Sequence, residues 1–176
     1  INDSPFLFVA SIFYSYIGSS TNYYFPLDFT VGGAVASFGR RLEWPDDFFR
    51  IMWSVKFMQK EYEGTQADID QYIGGLQKTR GISISQTFSR DSRNRAEFPT
   101  KGSTFMINNT YSGGILGGNE NFQKHMMTLE WFTPTFSKFI LYSSAKVGVI
   151  KNIGIDSDTP SFIPFDERFI MGGNGI

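Results

Sequence analysis

Between Phe49 and Tyr62 the side chains alternate in character with a period of two. Phe49, Ile51, Trp53, Val55 and Phe57 fall on one side and Arg50, Ser54, Lys56 and Lys60 on the other, interrupted by Met52 and Met58. A strand sends successive side chains to opposite faces, whereas the 3.6-residue turn of a helix would mix the two sets. The same period sets Ile82, Ile84 and Phe88 against Ser83, Ser85, Thr87 and Ser89, and Phe105, Ile107 and Tyr111 against Thr104, Asn108 and Thr110. Gln86 and Asn109 break the apolar rows of these two segments. Met127, Leu129 and Trp131 then oppose Lys124, Thr128 and Glu130, and Phe139, Leu141, Ala145, Val147 and Val149 oppose Tyr142, Ser144 and Lys146. Runs 6–17 and 30–43 bring the strand candidates to seven, with no facing assigned to either.

These candidates reach about a dozen residues, longer than the average strand of about 5 or 6 and enough for a tilted membrane crossing of about 9 to 11. Short connections at 44–48 and 133–137 alternate with longer ones at 18–29, 63–79 and 151 onward; 94–102 is a longer turn on the short side and 113–121 a modest loop on the long side. Outer-membrane barrels alternate short periplasmic turns with long external loops and carry aromatic girdles at the interfaces. Trp44, Phe48, Trp131, Phe132 and Phe136 lie near the short turns. The expected fold is therefore all-β, an antiparallel transmembrane β-barrel, with a soluble β-sandwich as a distant alternative. Seven strands leave two bare edges, which hydrocarbon does not tolerate, so the segment reads as an arc of a larger barrel. The lipid-facing set is Phe49, Ile51, Trp53, Val55, Phe57, Ile82, Ile84, Phe88, Phe105, Ile107, Met127, Leu129, Trp131, Leu141 and Val147. The lumen-facing set is Arg50, Lys56, Lys60, Lys124, Glu130 and Lys146.

Composition narrows the chemistry. Aromatic residues make up 17% of the 176, with 19 Phe and 18 Gly, a mixture suited to strands and turns. Sixteen Lys+Arg against 17 Asp+Glu leave a formal net charge of -1, so no basic field favours a nucleic-acid partner. The absence of Cys and the single His125 remove disulfides, thiolate nucleophiles and His-rich metal centres, and no cofactor is expected. No apolar run is long enough for a spanning helix. His125 shares the parity of Met127 and is read as interfacial. Asp156-Ser157-Asp158 lacks the glycine and terminal Glu of a calcium loop and is read as solvated. Asn108-Asn109-Thr110 fits a glycosylation pattern but lies within a strand candidate, and the Gly pairs at 113–114, 117–118 and 172–173 are read as turns rather than nucleotide loops. The chain opens without Met or a leader pattern and stops at Met171-Gly172-Gly173-Asn174-Gly175-Ile176, so it is expected to be an internal portion of a longer polypeptide.

Two stretches go further. Asp91-Ser92-Arg93-Asn94-Arg95-Ala96-Glu97-Phe98-Pro99-Thr100-Lys101-Gly102-Ser103 resembles the Asp-x-Arg … Phe/Tyr-Pro-Thr-x-Gly-Ser signature of the BamA/TamA-type superfamily of outer-membrane barrels, the assembly factors and their relatives. Phe38-Gly39-Arg40-Arg41-Leu42-Glu43-Trp44-Pro45-Asp46-Asp47 is similar to the turn one hairpin earlier in many members. Phe165 to Asn174 looks like the approach to the family's Val-Arg-Gly-Phe/Tyr loop motif, whose Arg would fall beyond Ile176. The motif residues at the periplasmic turn are Asp91, Arg93, Phe98, Pro99, Thr100 and Gly102. Asp91 with Arg93 reads as a turn pair, and Pro99 as a strand entrance where no ladder hydrogen bond is donated.

The resemblance implies a 16-stranded barrel of which this chain is the central part, with residues 151–176 beginning a long extracellular loop that folds into the lumen. It further implies POTRA domains outside this segment, membership of a BAM complex, and a weak seam through which client barrels are templated. The expected function is that of a non-enzymatic insertase integral to the bacterial outer membrane. Its partners would be client outer-membrane β-barrel proteins, accessory assembly subunits and outer-membrane lipids. A passive channel of another barrel family is the alternative, and related translocators share the barrel.

Overall fold

The computed structural model describes residues 6–18, 26–154 and 163–169. Seven strands form one antiparallel sheet in chain order: β1 (Phe6–Ile17), β2 (Asp28–Arg41), β3 (Phe49–Glu63), β4 (Lys78–Asp91), β5 (Gly102–Ser112), β6 (Phe122–Pro134) and β7 (Ile140–Asn152). The all-β antiparallel class expected from the alternation is the class observed. Each strand pairs with the next through a local connection, and the sheet stays open, with β1 and β7 at its edges. Strands run from 11 residues in β5 to 15 in β3, long enough to cross a bilayer at a tilt. Among the described residues no helix is long and apolar enough to cross a membrane.

Register decides which side chains share a face. Trp53 lies opposite Phe38 and Gln86, and the row continues through Phe8 on one side and Asn109, His125 and Val149 on the other. One residue along, Ser37, Ser54, Ser85, Thr110 and Lys124 form the neighbouring row, pointing the opposite way. All fifteen apolar residues expected to face lipid fall on the Trp53 side, and all six charged residues expected to face the lumen fall on the Lys124 side. These are called the aromatic face and the lysine face below. The same register gives β1 and β2 their facing: Phe8, Ile12 and Phe38 join the aromatic face.

The two faces differ in cover. On the aromatic face large side chains stand open, with Trp53 at 47% and Val147 at 58% exposure, and pack only sideways, as in Phe49 against Phe88 at 5.1 Å between ring centroids. Opposite, hydroxyls bond across strands, Ser37 to Ser54 at 2.8 Å and Ser85 to Thr110 at 2.9 Å.

A buried apolar cluster forms at the end bearing the longer connections, from Leu27, Tyr62, Ile69 and Ile73, with Phe29, Tyr72 and Leu76 packed against it. It depends on a helix within the 63–79 connection, α1 (Gln66–Ile73), which the period-two alternation does not show. The Thr65 hydroxyl accepts from the Asp68 amide at its start, and Gly74, at φ 65°, ends it in the left-handed conformation a glycine adopts without strain. Ile69 and Ile73, four residues apart, then share one buried side of the helix.

Candidate functional site

β3 presents Lys56, Met58, Lys60 and Tyr62 in succession on the lysine face, and β6 adds Lys124. Cations spaced two residues apart on one strand repel unless acids reach them, and here the acids come from two connections. Residues 113–121 fold back over β4: Asn119 and Glu120 donate their backbone amides to Arg80 O, and Asn119 Oδ1 accepts from Arg80 N at 2.8 Å. This delivers Glu120 above Gly81, where a Cβ would lie 2.6 Å from Glu120 Oε2. The chain beyond β7 returns as a 3-10 turn (Phe165–Glu167), closed by Glu167 N donating to Pro164 O.

Lys60 Nζ lies 2.8 Å from Asp166 Oδ1, 2.9 Å from Oδ2 and 3.4 Å from Glu120 Oε1, while Thr79 Oγ1 donates to Glu120 Oε1 at 2.9 Å. The Lys60 and Glu120 side chains are only 1% and 2% exposed, so the pair is desolvated and depends on its mutual contacts. Burial pushes the Glu120 carboxyl above the ordinary glutamate range, and the Lys60 charge and the Thr79 hydroxyl pull it partly back. Glu167 takes two further cations: Lys124 Nζ donates to its Oε2 at 3.0 Å and to its backbone oxygen at 2.8 Å, and Lys56 Nζ lies 3.7 Å from Oε1. Phe169 lies beneath the Lys124 ammonium, 5.2 Å from ring centroid to Nζ, and directly on the backbone of Gly148, where a Cβ would meet Phe169 Cζ at 2.4 Å. Lys56, Lys60 and Lys124 thus balance Glu120, Asp166 and Glu167, three charges of each sign. The arrangement is a clamp that holds the 163–169 segment against β3, β6 and β7. Among the described residues no group of three or more His, Asp or Glu is placed to hold a metal ion.

The other end of the sheet carries the second candidate. Arg93 grips Asp91 with Nε and Nη2 at 2.9 and 2.7 Å. Asn94 Oδ1 accepts from the amides of Thr100 and Lys101 and its Nδ2 donates to the Thr100 hydroxyl, so one amide side chain closes the β4–β5 turn. Gly102, at φ 109°, passes so near Ser92 that a Cβ would lie 2.4 Å from its backbone oxygen. Phe98 adopts φ 50° and leaves its ring 88% exposed. Arg90 bonds Asp46 across the β2–β3 turn at 2.7 Å and lies over the rings of Phe48 and Phe49.

A family model described as the Omp85 superfamily domain matches residues 7–176. The chain belongs to the Omp85 superfamily. It is similar to the outer membrane protein assembly factor BamA of Nitratidesulfovibrio vulgaris (strain Hildenborough), at 32% identity over 111 residues, or 60% of this chain and 13% of that protein. The chain therefore spans a small part of the length of this curated relative.

Within this Omp85 sheet, the signature residues Asp91, Arg93, Thr100 and Gly102 come together in one self-bonded turn, with Phe98 pointing away from it. Of the six charges expected to share a face, Lys56, Lys60 and Lys124 join the clamp. Glu130 pairs instead with the hydroxyls of Thr104 and Tyr142, and Arg50 and Lys146 stand nearer the short turns. The acids were not singled out from the sequence. Glu120 leaves one local trace, Gly81, a glycine inside a strand, which often marks close approach by another group. Asp156, Asp158 and the 172–173 Gly pair lie outside the described residues.

Proposed function

We propose that this chain is a wall of an outer-membrane β-barrel insertase, a machine of the BamA kind that folds other barrels by offering them a strand edge. The Omp85 superfamily match over residues 7–176 carries the reading, and the two-faced sheet supports it. The aromatic face meets lipid and the lysine face lines the lumen. Further strands of the same protein close both edges, 16 in all, because an unpaired backbone group in hydrocarbon costs several kcal/mol, on the order of a lost hydrogen bond without water. A client strand gains main-chain hydrogen bonds at a lateral seam before it meets lipid, and no covalent step is needed. In this scheme the described wall is the rigid part. Its clamp seats the long extracellular loop in the lumen, and its short turns face the periplasm, where accessory subunits and POTRA domains of a BAM complex gather.

A passive channel is disfavoured by the clamp, since the lysines are neutralised by the chain's own carboxylates rather than left open to a permeant. Depleting the full-length protein in cells should lower the levels of many unrelated outer-membrane barrels. Loss of solute uptake with those barrels at normal levels would instead identify a channel.

A further inference from the structure

The aromatic face is interrupted at one level. Gln86 on β4, Asn109 on β5 and His125 on β6 stand opposite one another in register, beside Trp53 of β3. Asn109 Nδ2 donates to Gln86 Oε1 at 3.4 Å, and His125 Nδ1 lies 2.9 Å from Asn109 Oδ1. An amide oxygen only accepts, so Nδ1 carries a proton here, and in that tautomer Nε2 is left as an acceptor. The Gln86 Nε2 donors make no hydrogen bond within the described residues. On the short-turn side the adjoining row is apolar from β3 to β7, through Ile51, Phe88, Ile107, Met127 and Val147, and meets Arg40 on β2. On the other side it ends in Gln123 and Lys151, an exposed cation with no acidic partner among the described residues. Polarity therefore rises toward the long-connection end on β6 and β7, whereas on β3 and β4 the same row is Val55 and Ile84.

We infer that this ladder, together with Lys151, binds a phosphorylated lipid of the leaflet on the long-connection side. The phosphate pairs with the Lys151 ammonium and a hydroxyl of the lipid donates to His125 Nε2, while the Asn109 amide, held in turn by Gln86, fixes the imidazole. His125 and Lys151 are diagonal across the β6–β7 pair, about 7–8 Å apart and within reach of one headgroup. A lipid suits the site better than a protein wall, because a cation and a hydrogen-bond acceptor at the edge of an exposed apolar face match the order of a headgroup and its acyl chains.

The inference rests on the aromatic face meeting lipid. Full-length protein would be reconstituted in phosphatidylglycerol vesicles and retained lipid measured by native mass spectrometry. Two variants would be compared: Gln86→Leu/Asn109→Leu/His125→Leu, and the exposed Lys151→Gln, which does not threaten folding. Each is expected to weaken retention about tenfold, the scale of one charge-assisted or neutral hydrogen bond. A fluorophore on Val147→Cys, quenched by brominated acyl chains, reports on the face itself. Quenching with unchanged retention in both variants would overturn the ladder site alone; absence of quenching would overturn the lipid-facing reading and this inference with it. A photo-cross-linker at Asn109 that captures protein rather than lipid in cells would also overturn it.

Discussion

Lys60 is the residue on which the clamp turns. It stands between carboxylates from two separate connections, so replacing it leaves Glu120 buried beside Asp166 with no cation between them. Breaking a buried pair by removing one partner costs about 3–5 kcal/mol. Lys60→Met in the full-length protein is therefore expected to lower urea stability in vesicles by about 3 kcal/mol. Adding Glu120→Gln should restore part of that loss, and an undisturbed midpoint for Lys60→Met would show that the pair contributes nothing. Asp46 makes a pH prediction at the other end. The Arg90 hydrogen bonds hold its carboxyl below the ordinary aspartate range, aided by the Phe48 amide. A lowered native pKa means that the contribution is present above the unfolded value and is lost as pH falls through the folded one. Exchange of the Phe48 amide should accelerate only below about pH 4, and Asp46→Asn should remove that step.

At the scale of elements, α1 and the 113–121 connection show how two pieces of non-strand chain are fixed by small devices. Removing the helix cap with Thr65→Ala costs about 1 kcal/mol, confined to the helix. Hydrogen exchange at Ile69 and Ile73 should quicken several-fold while β-strand amides are unchanged. Gly81→Ala tests the connection. Its new methyl would stand 2.6 Å from Glu120 Oε2, the free end of a flexible side chain, so the carboxylate must shift away from Gly81. Stability should fall, by no more than the loss from Glu120→Ala, and the double variant should cost little more than Glu120→Ala alone. Period two made the strands legible because each face meets a different medium. α1 carried a signal too, Thr65 with Asp68 ahead and Gly74 behind, but eight residues with only two buried isoleucines produce too short a pattern to stand out from a loop. Glu120 and Asp166 were illegible as partners of Lys60, since nothing local links residues 60 and 106 positions apart.

For the whole molecule, the decisive question is what each face touches. Single cysteines at Ile84 and Ile107 in the full-length protein should react with lipid-dissolved probes and resist a water-soluble maleimide; cysteines at Ser54 and Thr110 should do the reverse. Equal labelling of both sets by the aqueous reagent would remove the membrane reading. Alternation along the chain was enough by itself to establish the strands, their antiparallel class and the division of side chains into two sets, because strand geometry forces neighbours apart whatever surrounds them. Only the tertiary structure decided the rest. Register joined Gln86, Asn109 and His125 into a hydrogen-bonded ladder and gave β1 and β2 their facing, and chain return from two connections brought acids to Lys60. Both are long-range events: pairing and loop closure are set by the sheet as a whole, and no window of sequence contains the residues that meet.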